Sequence, residues 1–452
     1  MKKSTIKNLF AGLCFALLAP MSAFADIVIN ETFFPDPNFR AYLLEGGDDF
    51  FEWDKVGYGV ITDDKIALIT GIEVRNMNIS TLEGIRYFTA LKGLWCEENL
   101  LTSLDVSNNT ALTDLRCENN QLTALDVSKN TALTELRCSD NQLTSLDVSG
   151  CTALTWLQCD DNQLDSLDVS NNTALTLLEC TYNQLTSLDV SKNTALISLS
   201  CDINQLTSLD VSNNTALTHL GCNFNQLTTL DVSKNTALQS LWCHSNQLTT
   251  LDVSKNAALQ SLWCRTNQLT SLDVSNNTAL TDLQCDNNQL TILNVSNNTV
   301  LAYLYCSSNQ LTSLDVSKNT ILNTLWCYNN KIKGANMDAL ISSLPNRSES
   351  NYSLAGIIYI YDSTSETEGN VCTKSQVAAI KAKRWIPYYY NGTSWVVYEG
   401  ADETTGIDAT EIGNSSDFGA NAVAYDLNGN RVEDWQNRKG IYIVNGKKVV
   451  VK

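Results

Sequence analysis

The sequence predicts a repeat solenoid built mainly from short β-strands. A 21-residue unit recurs twelve times between Leu91 and Asn330, each copy has a cysteine at the same place, and apolar residues alternate with polar ones around that cysteine. The cysteines that mark the period are Cys96, Cys117, Cys138, Cys159, Cys180, Cys201, Cys222, Cys243, Cys264, Cys285, Cys306 and Cys327. Because a unit this short cannot bury its own apolar side, adjacent copies must stack into a continuous core.

Each copy consists of two half-units. The first half reads Leu-x-x-Leu-x-Cys-x-x-Asn-x, and the second reads Leu-x-x-Leu-Asp-Val-Ser-x-Asn-x-x. In both halves the apolar fourth and sixth positions alternate with polar ones, which is the periodicity of a strand. We therefore expect a short extended segment in each half, with the Leu, Cys and Val side chains inside.

The half-motif resembles the leucine-rich repeat family, with Cys in the place of the third leucine. The chain is most similar in pattern to the nested 21-residue class of bacterial surface proteins. This resemblance implies a right-handed horseshoe with a parallel sheet on the concave side, where such proteins often hold their ligands.

The cysteine ladder is interpreted as structural. A metal site requires clustered cysteine pairs, which a 21-residue spacing does not supply, and we predict no metal site and no cofactor. In-register parallel strands also point their Cβ atoms the same way, which suits a disulfide poorly. We expect small apolar core residues.

The asparagine and aspartate ladders are also interpreted as structural. The Asn three residues after each cysteine can satisfy backbone groups at the turn. The recurring Asp-Val-Ser segment, from Asp105 to Asp315, is a good turn former because Asp and Ser can bond nearby backbone N–H groups. Calcium bridging between coils remains the alternative. Cys151 replaces the second Asn of one copy, and its sequence context suggests no function.

The N-terminal region precedes the regular repeats. Residues 1–25 have the basic start, apolar segment and small-residue cleavage site of a secretory signal. Residues 26–90 are predicted to be an N-terminal cap, with one helix from Asn38 to Leu44 and a second from Thr62 through Ile69. The spacing from Val74 to Cys96 is 22 residues, which predicts an irregular first coil.

The regular solenoid is predicted over 91–334 and a C-terminal cap over 335–400. In the cap, Asn336 is expected to cap a helix that ends at Leu344 before Pro345. The other predicted elements are a strand over 356–361, a helix over 374–383, and a hairpin of 385–390 with 395–398. Residues 401–419 are polar and are interpreted as a linker.

Residues 420–452 resemble the C-terminal sorting domain of type IX secretion substrates. Turn signals at Asn428-Gly429 and Asn445-Gly446 separate alternating apolar runs, which predicts a small β-sandwich-like module. The resemblance implies contact with outer-membrane secretion machinery, and a secreted or outer-surface location on a Gram-negative bacterium. A β-rich module with no such role is the alternative.

Charge and composition exclude several classes of function. The formal net charge is −19 and the isoelectric point is about 4.5, which argues against nucleic acid as a partner. The only histidines are His219 and His244, and no Ser-His-Asp or Cys-His set can be assembled around them. The sequence therefore predicts a protein without enzymatic activity and with no catalytic residues.

The candidate binding site comes from comparing the repeats with one another. The Asp-Val-Ser half hardly varies, whereas the positions three and one before Cys and one and two after it vary strongly. Acidic residues concentrate in the first six copies and aromatic residues in the last six. The candidate concave strip consists of Trp242, Trp263, His244, Arg265, Tyr303, Tyr305, Trp326, Tyr328, Asp160 and Asp161.

One-sided variation favours an exported, surface-associated, adhesin-like binding protein. Trp, Tyr and Arg are the usual anchors of interfaces, and acids would attract a basic partner. The expected partner is a protein of a host or neighbouring cell. A structural spacer or surface-layer component and a glycan-binding protein are the alternatives.

Overall fold

The computed structural model describes residues 26–45, 52–53, 59–347, 354–402, 423–426, 431–433, 435, 440–444 and 447–451. The chain divides into two compact units, Met1–Leu259 and Gln260–Lys452, and each is described separately. The predicted signal, most of the predicted linker, and the turn dipeptides Asn428-Gly429 and Asn445-Gly446 lie outside the described residues.

The first unit begins with a small cap. Its elements are β1 (Ile27–Val28), α1 (Pro37–Glu45), β2 (Glu52–Trp53), β3 (Gly59–Ile61) and α2 (Asp63–Ile66), and the three strands form an antiparallel sheet in the order β1-β3-β2. The prediction of α1 is confirmed. The Asp36 carboxylate begins this helix by accepting the N–H groups of Asn38 at 2.9 Å and Phe39 at 3.0 Å. Helix α2 is shorter than predicted, because the chain leaves it after Ile66 in a tight turn.

A parallel sheet of three-residue strands follows in the first unit. The strands are β4 (Gly71–Glu73), β5 (Gly93–Trp95), β6 (Asp114–Arg116), β7 (Glu135–Arg137), β8 (Trp156–Gln158), β9 (Leu177–Glu179), β10 (Ser198–Ser200), β11 (His219–Gly221) and β12 (Ser240–Trp242). Equivalent residues pair directly, as Leu115 does with Leu136. The 22-residue first coil keeps the register, with Gly71 opposite Gly93. The predicted β-dominated solenoid is confirmed.

The Asp-Val-Ser half carries no named strand in the described residues. Its only ladder contact there is an isolated parallel bridge between Asp105 and Asp126. The segment predicted to be extended thus forms a parallel bridge at Asp105 and Asp126 but no β-strand in the described residues. The reason is the turn chemistry: Oδ1 of Asp189, for example, accepts the N–H of Ser191 at 2.8 Å, which commits that donor locally. The same bond recurs along the aspartate ladder, as the structural interpretation expects.

The first asparagine ladder joins each coil to the one before it. Nδ2 of Asn204 donates to the carbonyl oxygens of Cys180 at 3.0 Å and Cys201 at 3.2 Å. Its Oδ1 accepts the N–H of Leu185 at 3.0 Å. The buried amide thereby satisfies backbone groups in two coils, as predicted.

The ladder cysteines are buried free thiols. The Sγ of Cys201 lies 3.4 Å from the carbonyl oxygen of Gly221 in the next coil. Burial raises the pKa of the Cys201 thiol well above its ordinary value, so this thiol is not reactive at neutral pH. The interpretation as core residues is confirmed.

The second unit continues the repeat and then changes. Its first strands are β13 (Ser261–Trp263), β14 (Asp282–Gln284), β15 (Tyr303–Tyr305) and β16 (Thr324–Trp326), followed by α3 (Ala335–Ser343), β17 (Gly356–Asp362), α4 (Lys374–Ala382), β18 (Trp385–Tyr390) and β19 (Trp395–Val397). Strands β13 to β18 pair in parallel, and β19 pairs antiparallel with β18. The predicted cap therefore extends the sheet by three strands.

The caps of the two later helices differ in how well the sequence identifies them. Gly334, not Asn336, is the N-cap of α3, and Asn336 instead donates from Nδ2 to the carbonyl oxygen of Thr312 at 3.0 Å. Helix α4 matches the prediction within one residue. It begins with a capping box in which Thr373 and Gln376 satisfy each other's backbone N–H.

The last described strands are β20 (Ala424–Tyr425), β21 (Arg431–Val432), β22 (Gly440–Val444) and β23 (Lys447–Val451). They form one antiparallel sheet in the order β21-β20-β22-β23, around the buried residues Ala424, Trp435, Tyr442 and Val444. The described residues supply one layer of the predicted sandwich and no second layer. Across the described part of the chain, no helix combines the length and apolar character needed to cross a membrane.

Candidate binding surface

The variable positions lie on the outer side of the parallel strands. In β6, for example, Leu115 points into the core and is fully buried, whereas Asp114 and Arg116 are only partly buried. We call this outer side, formed by the residues three and one before each ladder Cys, the strand face. The residues one and two after Cys follow directly and form a turn at the strand end.

The position two residues after each ladder Cys has a left-handed backbone. Its φ angle is 50° at Asp161, 57° at Tyr182, 49° at Ile203 and 49° at Phe224. Asn and Asp adopt this conformation more readily than bulky or β-branched residues. Yet three consecutive coils place large apolar side chains there, and they are exposed: Tyr182 by 56%, Ile203 by 37% and Phe224 by 51%. Sequence reasoning missed Ile203, although Asn at the equivalent place in other copies was a usable signal.

The position one residue after Cys has a structural role in several coils. Asp160 accepts the N–H of Thr181 at 2.7 Å, and Asp202 accepts that of Asn223 at 2.6 Å. Asn223 in turn accepts the N–H of His244 at 2.9 Å. Each of these side chains therefore satisfies a backbone donor of the next coil that the strand ladder leaves over.

Two predicted site residues are less accessible than the sequence suggested. His244 is only 6% exposed, and its ring packs edge-on against Phe224 at a centroid distance of 5.0 Å. It supports Phe224 and presents little surface of its own. Asp160 is partly buried, and burial raises the pKa of its carboxyl. Asp161 is exposed.

The predicted acidic end of the strand face is an ion-pair network. Arg116 contacts Asp114 at 3.1 Å and Glu135 at 3.3 Å, and Arg137 contacts Glu135 at 2.6 Å. The Arg137 guanidinium also lies 3.9 Å from the ring centroid of Trp156. Counting acids alone overlooked these arginines. The arginines therefore pair with part of the acidic side chains that the sequence predicts in these coils.

Trp242, in the first unit, is partly buried and forms one wall of a cavity of about 180 Å³. The cavity is lined by Ser198, Ser200, His219, Gly221, Ser240 and Trp242, with Leu220 beneath. In each of three successive strands at least one of the residues one and three before Cys is small: Ser198 and Ser200 in β10, Gly221 in β11 and Ser240 in β12. Sequence reasoning noted the large residues of the strip and missed this run of small ones.

Trp263, in the second unit, is also partly buried. Its Nε1 donates to Oδ2 of Asp282 at 3.2 Å, and burial raises the pKa of that carboxyl. Burial raises the pKa of Asp286, and the exposed Arg265 offsets part of that rise. Tyr303 is exposed by 42%.

The other predicted aromatic residues join a larger cluster in the second unit. Trp326 lies 5.2 Å from Tyr305, 6.0 Å from Tyr328 and 4.6 Å from Tyr359, measured between ring centroids. Trp395 lies 4.8 Å from Tyr359. We call the following set the aromatic surface: Tyr303, Tyr305, Trp326, Tyr328, Tyr359, Tyr388, Tyr390 and Trp395. Its last four members lie in the segment predicted to be a cap, where the absence of the repeat concealed them.

The described residues offer little to hold a metal ion. Among them, no three His, Cys, Asp or Glu side chains are grouped suitably for one. Burial raises the pKa of Glu118 to about 7 and that of Asp202 to about 6. The arrangement of the strand face can hold a surface by aromatic, apolar and ion-pair contacts.

The chain is similar to several solved leucine-rich repeat structures. No model of a known protein family matches it, and no curated protein matches it significantly in sequence. The functional domain of InlJ from Listeria monocytogenes, which includes a cysteine ladder, is 34% identical, with 75% of this chain and 83% of that chain covered and a TM-score of 0.55. An internalin of the same organism is 26% identical, with 71% and 97% covered and a TM-score of 0.61.

A leucine-rich repeat protein of Leptospira interrogans is similar in fold alone. It is 22% identical, with 62% of this chain and 84% of that chain covered and a TM-score of 0.54. The parallel three-residue strands, the asparagine ladder and the cysteine ladder are the features that this chain brings to the comparison. With 34% identity over 83% of the InlJ domain, the chain belongs to the leucine-rich repeat family.

Proposed function

We propose that the chain is an exported, non-enzymatic protein that binds a protein partner on the strand face and its adjoining turns. The observation that carries the proposal is the run of exposed apolar side chains at left-handed positions, Tyr182, Ile203 and Phe224. A left-handed backbone costs about 1–2 kcal/mol for such residues. Because the side chains remain exposed, the fold gains little from them, and the strain is explained by a contact outside the fold.

The aromatic surface of the second unit supports the same proposal. Tyr and Trp supply large, rigid contact areas and are enriched among the residues that dominate binding energy. Tyr303, Tyr305, Trp326 and Tyr328, all predicted from the sequence, belong to this surface. Trp242, Trp263 and Arg265 are further candidate contacts, each within its own unit.

A glycan is the second candidate partner. Tyr361 and Tyr398 stack at 5.5 Å beside the aromatic surface, and flat aromatic surfaces of this kind suit sugar rings. A structural spacer or surface-layer component is the third reading, and it predicts no specific capture at all.

Export is proposed from the two ends of the chain. The signal-like residues 1–25 and the sorting-domain resemblance of 420–452 support passage to the outer surface of a Gram-negative bacterium, by way of outer-membrane secretion machinery. Mass spectrometry of the culture fluid and cell envelope of the native bacterium tests this. We expect a mature N-terminus near Asp26, and full-length protein confined to the cytoplasm would contradict it.

The binding proposal is tested with a variant in which Tyr182, Ile203 and Phe224 are all changed to Asn. Binding of the wild type and of the variant is measured on arrays of host surface proteins and of glycans. We expect the variant to lose at least tenfold in protein capture while its melting temperature stays the same or rises, because Asn relieves the left-handed strain. The matched control is Ile197→Asn, which removes a side chain 47% exposed at an ordinary backbone position of the same unit.

The outcomes separate the three candidates. Specific capture of protein by the wild type and not by the triple variant supports the proposal. Capture confined to the glycan array favours the second candidate, and capture of nothing favours the spacer. Full binding by the triple variant overturns the role given to these residues.

The aromatic surface is tested in the second unit by Trp326→Ala. The control is Ile292→Ala, which removes a side chain 77% exposed in the other half of a repeat. Loss of capture in the first variant alone supports the aromatic surface. Trp242→Ala and Trp263→Ala, made separately and together, extend the test to the remaining predicted contacts.

A further inference from the structure

The cavity beside Trp242 is formed by a break in the pattern of the strand face. One residue before Cys, the first unit has Arg116, Arg137 and Gln158, then Glu179, and then the small residues Ser200 and Gly221 before Trp242. The volume of about 180 Å³ is below the roughly 300–1,000 Å³ of ordinary small-molecule sites. It therefore suits one side chain of a partner rather than a whole ligand.

The Asp202 carboxylate lies beside Gly221, which forms part of the floor of this cavity. A Cβ placed on Gly221 would meet Oδ2 of Asp202 at 2.7 Å, so glycine is what allows this carboxylate to lie across the strand. Oδ1 accepts the N–H of Asn223 at 2.6 Å. Among the described residues, no Lys or Arg makes an ion pair with Asp202 or with Glu179, which neighbours Ser200 across the sheet.

Neither carboxyl forms an ion pair among the described residues, although Arg137 lowers the pKa of Glu179 in part against the larger effect of burial. Burial raises the pKa of Asp202 to about 6 and also raises that of Glu179. By contrast, Asp114 and Glu135, on strands three and more earlier, each contact an arginine. Thus no Arg or Lys occupies the strand-face positions of the three strands that line the cavity.

The same sheet shows how a guanidinium is held on this face. Arg137 lies 3.9 Å from the ring centroid of Trp156 while its Nη2 contacts Glu135 at 2.6 Å. An indole and a carboxylate together hold a planar cation. The cavity has an indole in its wall, Trp242, and a carboxylate beside Gly221 of its floor, Asp202.

We infer that the cavity accepts an arginine side chain from the protein partner, with its guanidinium stacked on Trp242 and directed to Asp202. This inference deepens the proposed function, since it rests on the strand face binding protein and names the partner's anchoring residue. The apolar floor over Leu220 and Gly221 would cover the aliphatic part of the side chain. Glu179 adds a second negative charge at the cavity's edge.

Arginine fits these groups better than lysine. A guanidinium is planar, so it can stack on an indole and pair with a carboxylate at once, whereas an ammonium is a compact and strongly hydrated charge. A partner phenylalanine would fill the space but would bring no cation to the two carboxyls. Charge and shape together therefore favour arginine.

The test uses three blocked pentapeptides that differ only at the central residue: arginine, lysine or citrulline. Saturation-transfer NMR with the full chain measures weak binding to a protein of 49.8 kDa. We expect the arginine peptide to bind at least fivefold more tightly than either of the others. The citrulline peptide controls for shape, and the lysine peptide controls for general attraction to a chain with net charge −19.

Two variants place the binding in the cavity. Ser200→Leu fills the space, and Gln158→Leu puts the same side chain at the equivalent position two coils earlier, outside the cavity. We expect Ser200→Leu to abolish the arginine preference and Gln158→Leu to keep it, with unfolding midpoints of both variants measured first. Trp242→Ala provides a second variant should Ser200→Leu fold poorly, and it should reduce the preference at least fivefold.

Each result decides the inference. No preference for arginine in the wild type, or a preference that persists in both Ser200→Leu and Trp242→Ala, overturns it. Arginine-specific binding without capture of any protein on the array would leave the cavity standing and overturn the proposed function. Protein capture without a preference for arginine would support the proposed function and overturn the inference about the cavity.

Discussion

Two asparagines of neighbouring coils allow a sharp test of what holds the first unit together. Asn193 belongs to the second ladder, in the Asp-Val-Ser half, and Asn204 to the first ladder, after Cys201. Both are buried, at 0% and 8% exposure. We predict that Asn193→Cys is nearly neutral, whereas Asn204→Cys is strongly destabilising.

The difference follows from the bonds that each amide makes. Nδ2 of Asn193 donates to the carbonyl oxygens of Val169 and Asn172, both at 2.9 Å, while its Oδ1 has no protein hydrogen-bond partner. Oδ1 of Asn204 accepts the N–H of the fully buried Leu185 at 3.0 Å. The first residue thus uses half of its amide, and the second uses all of it.

Another copy of the repeat already has cysteine at the position of Asn193. Cys151 stands at the place equivalent to Asn193, and its Sγ lies 3.5 Å and 3.6 Å from the carbonyl oxygens of Val127 and Asn130. A thiol can donate to these carbonyls and leaves no buried amide oxygen behind. It cannot replace the acceptor that the Leu185 N–H requires.

The expected changes in the free energy of unfolding depend on which buried polar groups are left without a hydrogen-bond partner. Removing a buried unpaired oxygen returns about 1–3 kcal/mol, which offsets the loss of two amide bonds worth about 1 kcal/mol each, so Asn193→Cys should fall within about 1 kcal/mol of the wild type. Asn204→Cys leaves a buried N–H without its acceptor and removes the Nδ2 bonds, for a cost of roughly 3 kcal/mol. The expected gap is about 2–3 kcal/mol.

Urea unfolding of both variants under reducing conditions, followed by circular dichroism, measures the gap. Equal m-values would indicate that the same body unfolds in each protein, which matters because stacked repeats need not unfold as one. Equal losses of stability in the two variants, or a larger loss for Asn193→Cys, would refute the reasoning from hydrogen-bond satisfaction.

Three further predictions concern stability. Glu118→Gln should leave the urea midpoint of unfolding unchanged near pH 4 and raise it above pH 7. Burial raises the pKa of this carboxyl in the folded protein to about 7 from an ordinary 4.5, so the free-energy penalty for ionising it grows between pH 4.5 and pH 7. After solvent screening this penalty is worth about 1 kcal/mol, which urea titrations at pH 4 and pH 8 measure. Thr373→Ala should lower the stability of the second unit by about 1 kcal/mol in the same assay, because it removes the capping box, with Thr373→Ser as the control that keeps it. Asn223→Ala should cost about 1–3 kcal/mol by removing the acceptor of the His244 N–H, and a melting temperature equal to that of the wild type would contradict this.

The sequence predicted the fold where one residue type does one job in every copy. Cys201 and Asn204 recur at a fixed spacing because their surroundings are the same in each coil, and repetition exposes that directly. In the Asp-Val-Ser half, the same alternation is not accompanied by a β-strand in the described residues. The bond from Ser191 N–H to Asp189 turns the chain out of the ladder, and local turn chemistry of this kind overrides periodicity.

The candidate site was harder to predict because it depends on contacts between coils. Trp326 was identifiable from its place in the repeat, but Tyr359 and Trp395 are joined to it only by the continuation of the sheet beyond the last copy. His244 was identified as a surface residue, and its burial against Phe224 follows from a left-handed turn that composition does not reveal. Rows of residues can be read from a repeat, but the direction of each side chain at a turn cannot.

The structure shows which positions of the Cys half can vary without loss of a structural contact. The residue two before Cys is fixed by the core, and the residue three after it by the asparagine ladder. The residue one after Cys is partly committed too, because Asp160, Asp202 and Asn223 each accept a backbone N–H of the next coil. Of the positions from three before to three after Cys, three remain in each coil: two on the strand face and one at the left-handed turn. Residues at those positions can change without leaving a buried backbone group unpaired, and the exposed Tyr182, Ile203, Phe224 and Tyr303 lie there. These positions carry large apolar side chains at Ile203 and Phe224 in spite of the backbone strain there, and recognition explains this choice better than drift.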